Sequence, residues 1–522
     1  MGVVALRLPR RLGFGTEMHP MKKFISLFAL LVAATGVRAA LPQPDLITQI
    51  HFAGWQKIST AANAGAFTNE FCSAEALALR AQTAGRLSGW LAGWLQTNTG
   101  VAVMGGAAKL RPLFDDLQQS EWFLEARAAM NGKPEVAIAI KLDSARAQLW
   151  QANLKPFFRT AGFKSSGGWL FFYSDLEATG LGDRIFTRIS QPDSAWLTLD
   201  VNWPRLAQWH PDLKELGLPE TQFTVTAPDD NLRINGKFLF PENLALNLEP
   251  WRMPTNTVHQ PFTSFTAVRG FAGWLASQPW AQLYRILPAP NQMFVWALPQ
   301  IPYQTFAAVP VANAADALAQ IYPRLQPVFD AQNAQRAFLT PFQIKMTNNQ
   351  ISLSGVPFIA PYLQAVREPA GQFLLAGAFP NAPRGKPLSA DLFQRLAEKN
   401  LVLYHWEITA ERLPTALNLS QLGLVLTSHR QIGSASASLK WIQAIAPRFG
   451  NTVTEITQTG PAEMTFTRKS PGCFTAVELL TLASWLEAPA FPGWDLKLPS
   501  HLSFKKLPPH PSGGFPAPAP AH

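Results

Sequence analysis

The chain has 522 residues, 47% hydrophobic and 15% charged, enough apolar material for a large core and too much to leave most of the chain disordered. Residues 1–39 carry six Lys or Arg and one Glu, so +5 of the net +10 is N-terminal and +5 is spread thinly over the rest. Without clustered Lys and Arg among stacking aromatics, nucleic-acid binding is excluded.

Met21-Lys22-Lys23, an apolar run from Phe24 to Ala34 and the small-x-small site Val37-Arg38-Ala39 read as a secretory signal peptide. The run is shorter than the roughly 20 apolar residues of a bilayer span. Residues 1–20 precede an otherwise ordinary signal, so translation is expected to begin at Met21. The mature chain is expected to be exported, to the periplasm or beyond the cell, without a transmembrane anchor. Cys72 and Cys473 are the only cysteines. An oxidising compartment permits a bond between them, but two cysteines define no framework, and separate buried thiols are the favoured reading.

Next along the chain, Ser73 to Gln96 reads as a helix with Leu77, Ala84, Leu87, Leu91 and Leu95 in one stripe. Only Arg80 and Arg86 could form the basic flank of a membrane-surface helix, so the stripe is expected to pack on a sheet. After it, one pattern recurs: an apolar strand, a short polar residue, an amphipathic helix, then a hairpin. It is expected at about 134–174, 195–240, 305–356 and 401–467. Asp143, Asn202, Asn313 and Thr409 stand at the strand-to-helix junctions. There a short polar side chain can accept from the unpaired amides of the first helical turn, so they are predicted N-caps.

The hairpins carry the repetition best. Phe223-Thr-Val-Thr-Ala-Pro-Asp-Asp-Asn-Leu-Arg-Ile-Asn-Gly236 aligns without a gap on Phe342-Gln-Ile-Lys-Met-Thr-Asn-Asn-Gln-Ile-Ser-Leu-Ser-Gly355. Asp229-Asp230 and Asn348-Asn349 sit at the turns, where Asx residues tolerate left-handed backbone. Gly355 is expected to close its hairpin with positive φ. The resulting fold class is α+β, with tandem β-α-β-β units forming two antiparallel-sheet halves packed with helices. The halves are residues 40–245 and 263–506, separated by a linker at 246–262 and followed by a Pro-rich tail at 507–522. Of the 17 tryptophans, Trp150, Trp196, Trp209, Trp274 and Trp441 fall on apolar faces and are expected in the core.

A strand ending in Asp or Asn, an amphipathic helix and a hairpin closing on Gly resemble exported bacterial proteins of unknown function built from such tandem units. The order from Trp55 through Cys72 to Asp115-Asp116 and Trp122 is similar to secreted proteins of the Verrucomicrobia type. The resemblance implies an α+β fold and an envelope location, and it carries no activity or site residues.

Chemistry-bearing motifs are scarce. His51, His210, His259, His405, His429 and His501 include no pair at the spacing of a helical zinc site. No Gly-x-Ser-x-Gly elbow occurs, Ser503-Phe-Lys-Lys506 lies beside the tail, and Gly180-Leu-Gly182 lacks the rest of a dinucleotide fingerprint. The paired carboxylates Asp115-Asp116, Glu121/Glu125 and Asp229-Asp230 have structural explanations, as does the cluster Trp209-His210-Pro211-Asp212. No catalytic, cofactor-binding or metal residue is therefore assigned, and no cofactor is expected. The favoured function is a non-enzymatic binding or assembly scaffold of the cell envelope, with an apolar ligand or an envelope protein as partner. A periplasmic carrier of an apolar ligand such as a lipid and an exported hydrolase, with His210 and Asp212 as its local candidates, are the alternatives.

Overall fold

The computed structural model describes residues 45–492 apart from 101–102, 129–133, 159, 175–177, 192, 209–210, 215–216, 278–288, 300–303, 335–340, 357–358, 380–384 and 428–435. The signal region, Trp209, His210, His429, His501 and the Pro-rich tail lie outside the described residues.

Among the described residues, eighteen strands form one sheet. In chain order they are β1 Leu46–Phe52, β2 Trp122–Ala128, β3 Pro134–Lys141, β4 Gly162–Ser166, β5 Trp169–Tyr173, β6 Leu197–Val201, β7 Glu220–Thr226, β8 Leu232–Leu239 and β9 Ser264–Arg269. There follow β10 Gln292–Ala297, β11 Thr305–Val311, β12 Gln343–Met346, β13 Gln350–Ser354, β14 Tyr362–Glu368, β15 Gly371–Gly377, β16 Leu401–Ile408, β17 Asn451–Gly460 and β18 Glu463–Ser470. The helices of seven residues or more are α1 Gly65–Phe71, α2 Ala74–Thr99, α3 Gly106–Gln119, α4 Ser144–Leu154, α5 Thr179–Ile189, α6 Ala314–Ala334, α7 Ala390–Leu396, α8 Thr409–Thr427, α9 Ala437–Ile445 and α10 Ala476–Glu487.

Followed from edge to edge, the pairings run β4-β5-β3-β2-β1-β6-β7-β8-β18-β17-β16-β9-β10-β11-β15-β14-β13-β12, and every pair is antiparallel. Cross-strand partners share a face of a pleated sheet. One row therefore carries His51, Thr198, Thr224, Asn235, Thr467, Glu455 and Tyr404 along a single face.

The opposite face is covered by helices along most of its length. Leu95, Leu110, Leu113 and Trp150 of α2, α3 and α4 pack on Ile140 and Leu170. Leu413, Trp441, Ile445 and Leu479 of α8, α9 and α10 form a second cluster with Ala76 and Leu79 of α2. Leu318 of α6 packs with Ile351 and Leu374. Each fully buried side chain of this size contributes about 1.5–3 kcal/mol, so these clusters hold the helices down.

Among the described residues, the face of His51 is covered only towards its ends. At one end Leu181 and Ile185 of α5 lie on Phe123, Ala139 and Phe171. Gly182 sits where a Cβ would stand 2.3 Å from the Tyr173 hydroxyl, so the Gly180-Leu-Gly182 stretch serves close helix-to-strand packing. At the other end Met253, Val258, Leu392 and Leu396 cover Phe265, Phe294, Trp296 and Phe373.

The stretch after β8 is firmly tied. Leu244, Leu246 and Leu248 pack beside Phe238 and Phe466 on the helix-covered face, and Trp251 and Met253 reach the other face. Arg269, 3% exposed, fixes the crossing. Its guanidinium donates to the carbonyls of Leu248, Glu249, Glu398, Lys399 and Leu401 and lies 4.6 Å from the Trp251 ring.

Local features agree with the expected turn and cap chemistry in most places. The side chains of Asp143 and Asn202 accept from the amides of Arg146 and Arg205, and Asn313 accepts from Ala315 and Asp316. Thr409 differs: its hydroxyl bonds Glu407 at 2.8 Å and Thr452 at 3.0 Å, holding the strand rather than capping the helix. Phe223 pairs with Gly236 and Gln343 with Ser354, so the two aligned hairpins share a register. Gly355 has φ +84° and a Cβ there would stand 2.3 Å from the Pro341 carbonyl oxygen. The Asx turns keep negative φ instead, with the Asp229 carboxylate accepting from the Asn231 amide. Trp150, Trp196 and Trp441 are buried, while Trp274 is 37% exposed.

Candidate functional site

The middle of the face that carries His51 is built from β6, β7, β8, β18 and β17, whose alternation sends polar residues outward there. Thr198, Asp200, Thr224, Thr465 and Thr457 are half-buried, and Asn235 and Thr467 are exposed. Their apolar neighbours Phe223, Ile234, Phe238 and Phe466 point to the other side and are buried. A polar floor thus lies between α5 at one end and the 251–262 stretch with α7 at the other. Charged groups share this face with the hydroxyls and amides: Lys237 is bridged to Glu463 at 3.3 Å, Arg233 to Asp229 at 2.7 Å, and Glu455 and the exposed Lys469 stand beside Thr467.

At the α5 end, this floor runs into a dense ionisable cluster. His51 is fully buried, stacked on Phe123 with centroids 4.2 Å apart. Its Nε2 is 3.1 Å from Glu121, and Asp193 lies 3.3 Å from Nδ1 as an ion-pair contact off the hydrogen-bond direction. Burial opposes a charged ring, yet Asp193 and Glu121 outweigh it and raise the His51 pKa. The Glu121 carboxyl is pushed up by burial but held below its ordinary value overall by His51 and Lys57. The imidazolium is therefore the form this setting favours.

One row further along β1, Gln49 donates to Glu125 at 2.9 Å. Arg184 and Arg188 of α5 meet the same buried carboxylate at 3.0 and 3.4 Å. Across β1, Asp200 pairs with Gln49 and Gln222 in register. Burial first, and then the neighbouring Glu220 charge, push the Asp200 carboxyl up to about 7, with Arg188 pulling the other way. Gln222 stands 3.5 Å from both Asp200 and Glu220. Together these groups offer a carboxyl of raised pKa, carboxylates and amides at one border of the polar floor, suited to hydrogen-bonding a polar ligand.

A second polar network lies on the helix-covered face. Thr266 and His405 Nδ1 are 2.7 Å apart, and His405 Nε2 is 3.4 Å from Glu407. Glu407 also accepts from Thr409 and from the Ala476 amide at 2.7 Å. Burial raises its pKa, but His405, the Ala476 amide and Thr409 bring it below the ordinary value. Arg468 pairs twice with Glu478, at 2.7 and 2.9 Å, and bonds Thr454. The acid–histidine–hydroxyl succession has the parts of a hydrolytic relay, but helices α8 and α10 close over it. Glu407 and Arg468 tie the network to α10 through the Ala476 amide and Glu478, while the buried His405 Nε2 makes no hydrogen bond among the described residues.

The carboxylate pairs noted in the sequence separate here. Asp116 bonds Arg146 and the Trp150 indole, Asp115 pairs with Arg111, and Asp229 with Arg233. Glu121 and Glu125 alone enter the ionisable cluster, two residues either side of Phe123 on the same face. His51, Asp193, Asp200 and Glu220 come from four separate segments, and no local pattern announces them. Cys72 and Cys473 are free thiols. Among the described residues no group of three or more His, Cys, Asp or Glu is arranged to hold a metal ion. Among them, too, no helix is long and apolar enough to cross a membrane. No protein-family model, curated protein or solved structure matches this chain.

Proposed function

We propose that this chain is an exported cell-envelope protein that acts as a non-enzymatic binding scaffold, with the open polar floor over β6, β7, β8, β18 and β17 as its ligand-facing surface. One observation carries the reading: among the described residues, the sheet is covered on one face and left bare and polar at the centre of the other. A ligand of matching chemistry is an extended polar chain, glycan or peptide, whose hydroxyls and amides meet threonine, asparagine and glutamine. The export half of the proposal rests on the signal pattern of residues 21–39. The polar character of the floor favours this reading over a lipid carrier.

The tandem-module reading belongs to the same proposal. It is supported by the element order strand, helix, two strands at β3-α4-β4-β5 and β11-α6-β12-β13. It is supported again by the succession on either side of the β8–β18 pair. One side runs β7-β6-β1-β2-β3-β5 and the other β17-β16-β9-β10-β11-β15.

Arrays of envelope glycans and peptides probed with the full-length chain test the function. The bulky substitutions Thr224→Trp and Thr467→Trp are expected to weaken binding at least about tenfold, a loss of about 1.4 kcal/mol, with thermal unfolding unchanged. Equal binding by these variants, turnover of the ligand, or a lipid retained in native mass spectrometry would overturn the proposal.

A further inference from the structure

Charge is unevenly matched on the polar floor. Lys237 of β8 pairs with Glu463 of β18, and Arg233 of β8 pairs with Asp229. Lys469 of β18 is exposed, and among the described residues it meets no carboxylate at ion-pair distance. It stands directly opposite Arg233 in the β8–β18 register. Like charges so placed repel each other, and an anion seated between them relieves that repulsion. Arg233 gives Asp229 its Nη2 at 2.7 Å, and its side chain is 40% exposed. A guanidinium carries several N–H donors in a fork, so one carboxylate does not exhaust it. Glu455 is in register with Thr467, one row from Lys469, and there Arg395 and Glu398 act on it from the α7 end.

The floor also lacks the usual means of holding a peptide. An extended peptide commonly adds a strand to a sheet edge, where main-chain groups are free. Strands β6, β7, β8, β18 and β17 are each paired on both sides, so their amides and carbonyls are already taken. What they present is side chains: the hydroxyls and amides of Thr198, Thr224, Asn235 and Thr467, bordered by Arg233 and Lys469. That combination matches a sugar chain, dense in hydroxyls, that also bears carboxylates.

We propose that the ligand of the floor is an acidic glycan, a polymer containing uronic acid residues, with one carboxylate seated between Lys469 and Arg233. The inference rests on the floor being the ligand-facing surface and adds the class and charge of what it holds. The carboxylate gains charge-assisted hydrogen bonds from two neighbouring strands, while hydroxyls of adjoining sugars reach Thr467, Asn235 and Thr224.

Calorimetric titration of the full-length chain with polygalacturonate, alginate and hyaluronan oligosaccharides, each beside its carboxyl-reduced neutral form, tests this. At least one acidic form is expected to bind about tenfold or more tightly than its reduced form. The ratio shrinks as salt is raised, because the cations lie at the surface. Lys469→Ala is expected to bring the ratio to about twofold or less by removing the charged donor, and Lys469→Glu to abolish it, both at unchanged thermal unfolding. Lys164→Ala, on the distant edge strand β4, leaves the ratio as it was. Equal affinity for acidic and reduced forms, or a ratio indifferent to Lys469→Glu, would overturn the inference. If Thr224→Trp still blocks both forms in that case, the floor remains the binding surface and only the acidic class is lost. Failure of all three acidic glycans to bind would overturn it as well. So would poly-glutamate bound through Lys469 in their place, which would mark an acidic peptide as the ligand.

Discussion

Two histidines illustrate how burial decides chemistry residue by residue. His51 and His405 each face a threonine across a strand pair, Thr198 and Thr266, on opposite faces of the sheet. One is held between two carboxylates near the open floor; the other is sealed beneath α8 and α10. Neither setting was legible in the sequence, because Glu121 and Thr266 lie 70 and 139 residues away from their partners. Glu70 is another hidden group: 1% exposed, and pushed up by burial to about 8 despite Arg448 nearby. The native carboxyl thus keeps a proton that the unfolded chain releases near its ordinary value of about 4.3. Between those values the native state binds more protons, so stability falls as pH rises. Glu70→Gln is expected to flatten urea-denaturation stability across pH 5–8 and to exceed the parent at pH 8; an unaltered slope would contradict this.

Arg269 gives the larger expected effect. Hydrogen bonds from a charged donor contribute about 1.5–3 kcal/mol each, and Arg269→Ala strands five carbonyls. Chemical denaturation should show a loss on the order of 3 kcal/mol or more. Arg269→Lys should recover only part of it, because one ammonium cannot span carbonyls from two segments.

Among the elements, what could be seen in advance was short-range. The N-caps Asp143, Asn202 and Asn313 stand out because a polar residue after an apolar strand has a local use. Hairpin register could be seen because Phe223 and Phe342 recur with their glycines at one spacing. Thr409 has the right type and place for a cap, but buried Glu407 and Thr452 compete for its hydroxyl and win. The stripe of Ser73 to Gln96 was legible as a helix. Its partners were not: Ala76 and Leu79 meet α8 to α10, some 340 residues later, and Leu77 is left half exposed. Asn313→Ala is expected to cost about 1 kcal/mol, measured by thermal or urea unfolding. No change, with α6 intact by circular dichroism, would count against the cap.

For the whole molecule, the mixed α and β class followed from alternating and helical periods, whereas the strand order did not. No local feature says that β8 meets β18 or that β14 and β15 intervene between β11 and β13. The floor of the candidate site inherits that difficulty, since Asn235 and Thr467 are neighbours only through the β8–β18 pair. Among the described residues the sheet ends in two unpaired edges, β4 and β12, of five and four residues. Each carries an exposed lysine, Lys164 and Lys345, and short, charged edges discourage pairing with other chains. Replacing both with valine is expected to shift sedimentation towards oligomers at unchanged secondary-structure content; a monomer at every concentration would argue against that role.

The β8–β18 seam also sets a timetable. Residues 232–239 bond to residues 463–470, so during synthesis β8 remains a bare, ladder-ready border until more than two hundred further residues have emerged. Such long waits slow folding and expose nascent chains to aggregation. A polypeptide assembled in this way gains from being kept from collapse until both halves of the seam are present.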